Sequence, residues 1–301
     1  MRTLFIAVAL LAFWPAASAC DVCGCSIGGN YFGILPQFHR HFIGLRWSAE
    51  TSYTALNTND LLQGRYHSIE EFQSLDVVGR FYPARRWQLL ALAPYHWNRQ
   101  TEGGVPTSTR GLGDVSVLAN YVLLDTGDSL RHRWRQTLSF GGGVKLPTGR
   151  HDLPASNGES LNPSLQPGTG STDFMFSAAY TLRRGAWGAS ADLLARWNTA
   201  NRQHFRFGNR VSGSAKVFYW KNIRGITLLP NTGIFSDAAR ANRDDGLLLK
   251  ESKGLTSFAT LGLDTYVRHF SAGLSYQIPV WQSRPTVQAN ARWMLTVNYI
   301  F

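Results

Sequence analysis

Val287-Gln288-Ala289-Asn290-Ala291-Arg292-Trp293-Met294-Leu295-Thr296-Val297-Asn298-Tyr299-Ile300-Phe301 closes the chain, and its alternation decides the fold. Val287, Ala289, Ala291, Trp293, Leu295, Val297, Tyr299 and Phe301 share one face of an extended strand. Gln288, Asn290, Arg292, Thr296 and Asn298 hold most of the other. Successive side chains of a strand point to opposite faces, so period-two patterning means one apolar and one polar surface. The preceding stretch repeats it: Phe270, Ala272, Leu274, Tyr276, Ile278 and Val280 oppose Ser271, Gly273, Ser275 and Gln277. Upstream, Trp187, Ala189, Ala191, Leu193, Ala195 and Trp197 form a face with a Trp at each end.

The 301 residues are 44% hydrophobic, 13% aromatic and only 16% charged, which excludes a disordered chain. Beyond residue 19 no apolar run approaches the roughly 18–20 residues of a membrane-spanning helix. Twelve alternating segments are expected, near 41–53, 71–82, 87–98, 112–124, 134–147, 172–183, 186–198, 208–220, 226–236, 257–267, 269–281 and 286–301. Pro83–Arg86, Asp125–Arg133, Arg184–Gly185, Lys221–Gly225 and Arg268 make short connections. Those near 54–70, 99–111, 148–171, 199–207 and 237–256 are long and polar, and 282–285 is brief. Tight turns at one end and long loops at the other predict an all-β, closed, antiparallel transmembrane barrel. A soluble barrel would turn its apolar face inward, and at this length would have more strands than its core could fill.

Met1-Arg2-Thr3, the apolar run Leu4 to Trp14, Pro15 and Ala17-Ser18-Ala19 follow the order of an export signal. The expected division is a signal peptide over 1–19, a Cys-rich periplasmic segment over 20–40 and an outer-membrane barrel over 41–301. Loss of Arg2 leaves 29 basic residues against 19 acidic ones. They are scattered along an exported chain, so nucleic acid is not an expected partner. The terminal Phe301, two residues after Tyr299, resembles the signal read by the barrel assembly machinery; both termini are expected in the periplasm.

With the apolar face against lipid, parity assigns the interior. Arg46, Arg80, Lys145, Arg196, Lys216 and Arg292 bring positive charge there, and Glu50, Asp76, Asp114, Asp173, Asp192 and Asp264 negative charge. Six against six is balanced, so paired charges can knit across a narrow lumen. They either brace the interior or form a charged constriction for small polar or amphipathic solutes. A wide open porin is not expected.

Three glycine-bearing motifs stand at loop mouths: Gly111-Leu112-Gly113-Asp114, Lys145-Leu146-Pro147-Thr148-Gly149 and Gln166-Pro167-Gly168-Thr169-Gly170-Ser171. Proline suits a strand end and glycine a sharp turn. Together, in this order and spacing, they resemble the outer-membrane family named for the phenol meta-degradation pathway, described as transporters. The likeness is best over roughly 110–200 and looser toward the C-terminus. It implies a barrel that admits small hydrophobic or aromatic compounds, with no catalytic residues.

Cys20, Cys23 and Cys25 cluster near the start, followed by His39 and His41. Three readings stay open: a lipidated Cys20 with Cys23 and Cys25 left as a pair, a disulfide leaving one thiol over, or a copper(I) or zinc site. The last makes a metal-binding protein anchored by its barrel the alternative to a channel. Catalysis is not expected. No Gly-x-Ser-x-Gly or His-Glu-x-x-His occurs, and Gly141-Gly142-Gly143-Val144-Lys145 lacks phosphate-loop spacing. A lipid hydrolase would need a Ser–His pair on the lipid side, whereas His96 falls inside by parity. The expected function is passive passage of small solutes down a gradient, with no cofactor required.

Overall fold

A computed structural model describes residues 40–56, 66–126, 134–154, 161–283 and 287–301. The expectations for the signal peptide, for Cys20, Cys23 and Cys25 and for His39 lie outside the described residues. β1 (Phe42–Leu56), β2 (Tyr66–Ala84) and β3 (Trp87–Glu102) run as an antiparallel meander. β4 (Val105–Leu112) and β5 (Ser116–Asp125) are two halves of one stave, pairing with β3 over Tyr95–Glu102 and Trp87–Leu92. β6 (Arg135–Lys145), β7 (Asp173–Arg184), β8 (Trp187–Trp197) and β9 (Arg210–Tyr219) follow, and β10 (Lys221–Ile223) prolongs β9 along β11 (Ile226–Ala239). β12 (Asn242–Asp244) and β13 (Leu247–Leu249) form a small hairpin off the wall. β14 (Gly254–Val267), β15 (Phe270–Ser283) and β16 (Val287–Ile300) complete the circuit. β16 pairs with β1 from Phe42↔Ile300 to Thr54↔Val287, which closes the sheet. The main sheet has fourteen strands; with β4/β5 and β9/β10 each taken as one stave, the barrel has twelve.

The apolar face looks outward. On β1, Ile43 and Leu45 are 48% and 50% exposed, while Arg46 between Leu45 and Trp47 is 7% exposed. Buried positions are dominated by Ser52, Ser74, Asn98, Gln100, Thr256, Thr260 and similar polar side chains. Trp187, Leu193 and Val297 lie on the exposed face and Arg196 on the buried one. This inside-out distribution is that of a barrel in lipid. Trp187–Tyr219 (4.9 Å) and Trp87–Tyr121 (5.3 Å) ring contacts mark the tight-turn end, and Tyr95–Trp97 (4.7 Å) and Tyr276–Trp293 (4.2 Å) lie toward the other. On β8, Trp187 and Trp197 stand ten residues apart. At about 3.3 Å per residue and a tilt of roughly 40°, that projects to about 25 Å, the height of a barrel's apolar band.

The stretch 99–111, expected as a loop, is a hairpin instead. β3 runs on to Glu102, turns through Gly103 and Gly104 (φ 53° and 86°) and returns as β4. Its outer positions include Arg99, Thr101, Ser108 and Arg110. A strand rising above the hydrocarbon has water on its outer face, so the apolar alternation that would reveal it disappears. The same effect hides Gly254–Thr256 of β14 and Asp237–Ala239 of β11, assigned to loops by pattern alone. At the other end the tight turns are as expected; Arg224 and Gly225, at φ 50° and 84°, make the type I′ geometry that matches strand twist.

A charge placed on the outer face carries a defined cost. Leu193→Arg is expected to lower folding free energy in lipid vesicles by about 2–4 kcal/mol, the cost of Arg at a barrel's mid-membrane surface. Leu193→Phe should stay near the parent, as read by denaturant titration of tryptophan fluorescence.

Candidate functional site

The three motifs that stand apart in the sequence meet in space. The fourth stave breaks at Gly113-Asp114-Val115, opposite Pro94 of β3. Gly113 N donates to Pro94 O (2.8 Å), but Pro94 has no N–H to return. Thr148 supplies what is missing: its Oγ1 donates to Gly113 O (3.0 Å) and accepts from Val115 N (2.8 Å). Leu146 N donates to Val115 O (2.8 Å), so the chain after β6 is stitched along the break.

The break turns Asp114 inward, where its carboxylate gathers four donors. Oδ1 accepts from Gly149 N (3.0 Å); Oδ2 accepts from Lys145 Nζ (2.9 Å), Thr169 N (2.9 Å) and Thr169 Oγ1 (2.7 Å). Lys145 Nζ also lies 2.7 Å from Asp173 Oδ2 and bonds Thr169 Oγ1. Asp173 Oδ1 accepts from Ser171 Oγ (2.9 Å) and Thr199 N (3.0 Å). Lys145 and Asp173 are 2% and 1% exposed. Two carboxylates share this ammonium, and oriented backbone N–H groups meet part of their remaining hydrogen-bonding capacity.

The packing admits no side chain. A Cβ on Gly149 would sit 2.7 Å from Gly168 Cα and 2.9 Å from Gly113 Cα. One on Gly168 would sit 2.5 Å from the Gly149 carbonyl carbon, and one on Gly113 would sit 2.5 Å from His96 Nε2. The bare Cα positions of Gly149 and Gly168 therefore let three backbones touch, while Gly113 leaves room for His96 and Pro94.

The result is an inward-folded loop between β6 and β7. Leu161, Leu165, Gln166, Thr169 and Ser171 are all buried. Leu161 and Leu165 pack on Phe72 of the wall, beside Leu153 and Val287. Leu165 O accepts from Asn98 Nδ2 (3.0 Å) and from Thr109 Oγ1. Gln166 ties the loop to itself: its Nε2 donates to Leu153 O (2.8 Å) and its Oε1 accepts from Leu153 N (3.1 Å).

The remaining predicted interior residues line the barrel below and beside this loop. Arg46 pairs with Asp76 (Nη2–Oδ2 2.7 Å) and Arg292 with Glu50 (Nε–Oε2 2.7 Å). Together with His96 they border a cavity of about 40 Å³. Arg196 borders another of about 20 Å³, beside Lys145 and Asp173. Arg80 lies 4.7 Å over the Phe42 ring, Asp192 accepts from Ser214 Oγ (2.5 Å), and Asp264 accepts from Asn231 Nδ2 (2.9 Å). Lys216 is partly buried on β9, across from Gly233. His41 stands at the seam, where its Nδ1 accepts from Tyr82 N (3.1 Å) and its ring stacks on Phe301 at 5.6 Å. Among the described residues no three His, Cys, Asp or Glu side chains converge as metal ligands.

Sequence reasoning missed Thr169 and Ser171, since hydroxyls in a loop carry no parity signal. It also missed the inward Glu70 and the pair Arg210–Asp237 (3.7 Å). Extending the inward parity past the expected strand ends would have found Glu70 and Asp237.

At the long-loop end a larger cavity of about 410 Å³ opens. Its wall includes Ser52, Thr54, Ser68, Glu70 and Phe72 of β1 and β2, Pro163 and Leu165 of the inward loop, Phe205, and Glu251. The inward loop thus lines the vestibule through Pro163 and Leu165 and the small cavity beside Lys145 through Thr169.

Residues 72–219, which contain all three motifs, match the family described as "Putative MetA-pathway of phenol degradation". No curated protein matches the sequence. Among solved structures, an outer membrane channel from Pseudomonas putida F1 is similar at 14% identity, over 89% of this chain and 100% of that one, with a TM-score of 0.65. The β domain of the Bordetella autotransporter BrkA follows at 12% identity, 87% and 100% coverage and a TM-score of 0.48. The channel shares this fold.

Asp114→Ala should release the loop while leaving the barrel closed. Removing one partner of a buried ionic network costs about 3–5 kcal/mol. The variant is expected to unfold at lower denaturant and to exchange the Gly149 and Thr169 amide hydrogens much faster, by hydrogen exchange with mass spectrometry. Strand amides of β14 and β15 should stay protected.

Proposed function

We propose that this chain is an outer-membrane channel through which small solutes pass passively, with the loop between β6 and β7 as its constriction. The observation that carries the reading is the graded interior. A vestibule of about 410 Å³ opens at the long-loop end, and the polar lumen holds much smaller cavities, two of them of about 40 and 20 Å³. Interior charges are largely paired, so a solute meets hydrogen-bonding groups and fixed dipoles instead of an uncompensated barrier. Passage then requires the loop to yield at its packed side, where Leu161 and Leu165 contact Phe72, while the Asp114 knot holds both ends. No step calls for a catalytic group or a cofactor.

The start of β1 and the end of β16 lie at the tight-turn end: Phe301 N donates to His41 O (3.0 Å) and Phe42 faces Ile300. Outer-membrane barrels carry their short turns on the periplasmic side, and a Phe301 that is 52% exposed at that end supports its reading as a signal for the assembly machinery. The family resemblance supports small hydrophobic or aromatic compounds as the solutes.

Liposome swelling tests the channel. Purified protein is expected to admit small neutral solutes and to exclude disaccharides, and Asp114→Ala is expected to raise the cutoff. Vesicles impermeable to every solute with both proteins would overturn the reading.

A second reading rests on the Cys20, Cys23 and Cys25 cluster: a copper(I)- or zinc-binding segment, with His39 or His41 completing the ligands and the barrel as anchor. Titration of the reduced full chain with zinc should give one equivalent bound, lost when the three cysteines become serine. Equal binding by that variant would remove this reading.

A further inference from the structure

We propose that the vestibule is an entry site for small organic cations: a protonated amine carried on an apolar or aromatic body. This rests on the channel reading and names the class of solute that the channel collects first.

The cavity is built at the long-loop mouth, and its floor is the inward loop itself. Phe72, Pro163, Leu165, Phe205, Leu249 and Val287 make much of its wall apolar, which suits a hydrocarbon or aromatic body. Its charge is of one sign. Glu70 and Glu251 line it, and among the described residues no Lys, Arg or His does, in a chain of net charge +11. Lys250 and Lys253 flank Glu251 in sequence, yet neither lines the cavity. Among the described residues, the lining of this cavity is thus acidic in a basic protein.

Glu70 is prepared for a cation. It stands on the inward face of β2, where three hydroxyls converge on it. Ser52 Oγ donates to Oε2 (3.0 Å), Thr54 Oγ1 reaches both oxygens (3.0 and 3.1 Å), and Ser68 Oγ donates to Oε1. Such bonds fix the orientation of the carboxylate. A carboxylate offers about four acceptor positions, and three hydroxyl protons leave capacity for one more donor. An ammonium group supplies that donor together with the opposite charge. A carboxylate-bearing solute would be repelled by both glutamates, and a neutral alcohol would gain only the apolar contact. The occupant would lie against Leu165, on the surface that must move for passage.

Isothermal titration of the full chain in detergent micelles would use 2-phenylethylamine, 2-phenylethanol and phenylacetate, each corrected against protein-free micelles. The amine is expected to bind at least tenfold more tightly than the alcohol, phenylacetate more weakly than either, and the amine more weakly as salt rises. Glu251→Gln should weaken the amine several-fold, and Glu70→Gln with Glu251→Gln at least tenfold, with the alcohol unchanged. Glu251 is exposed, on the 3-10 turn Lys250–Ser252 outside the barrel wall, so its variant keeps the test alive if the double variant fails to fold. Equal binding of amine and alcohol, or amine binding undiminished in these variants, would overturn the proposal. Failure here with liposomes that swell would leave the channel standing; amine binding with impermeable liposomes would remove the channel alone.

Discussion

A peptide group in hydrocarbon has no water to bond to, and this constraint shapes the whole molecule. Strands can cross a bilayer only if both edges of their sheet are joined, so the register of β16 against β1 is as necessary as any hairpin. Closure with twelve antiparallel staves brings the start of β1 and the end of β16 to one side and sends the apolar face outward. The same constraint explains how the wall tolerates a break. Where Pro94 withholds an N–H from the fourth stave, Thr148 and Leu146 bond the exposed peptide groups of Gly113 and Val115. The interruption faces the lumen, so protein groups stand in for the missing ladder.

Once the outer face is apolar, the polar groups have nowhere to go but inward, and there they must satisfy one another. In the knot around Asp114, opposite charges are adjacent and much of the remaining hydrogen-bonding capacity is met by backbone N–H groups. Removal of one partner would strand a buried charge, which makes such a cluster a fixing device for loop position more than a source of net stability. Its members come from the stave break, the end of β6, the inward loop and the start of β7. Four separate pieces of chain are therefore held in one arrangement, and the loop is clamped at its ends while its middle rests on apolar side chains. That division of labour suits a constriction that has to stay in place yet give way locally.

Most of the wall was legible in the sequence because lipid enforces a strict rule. Wherever a strand lies in hydrocarbon, as Trp187–Trp197 does, alternate residues must be apolar, and period two betrays it. The rule lapses above the bilayer, which is why the hairpin of β3 and β4 and the top of β11 read as loops. Interior charges were legible for the same reason: parity alone sent Arg46, Asp76, Lys145 and Arg292 inward. Their pairings were not legible, because parity gives the face and leaves the neighbour undetermined. Arg292 meets Glu50 across the seam between the last strand and the first, a contact that exists only after closure.

The sequence by itself determined a closed barrel with its greasy side out, most of its tight turns, and the presence of three glycine motifs at loop mouths. Only the tertiary structure decided what those motifs are for. Gly113, Gly149 and Gly168 lie far apart along the chain, and nothing local requires that they touch. They meet because the barrel brings the end of β4, the end of β6 and the start of β7 together and because the absence of side chains on Gly149 and Gly168 lets the backbones approach within bonding reach of one carboxylate. Contacts of that kind depend on distance in space, which a pattern with a period of two residues cannot encode.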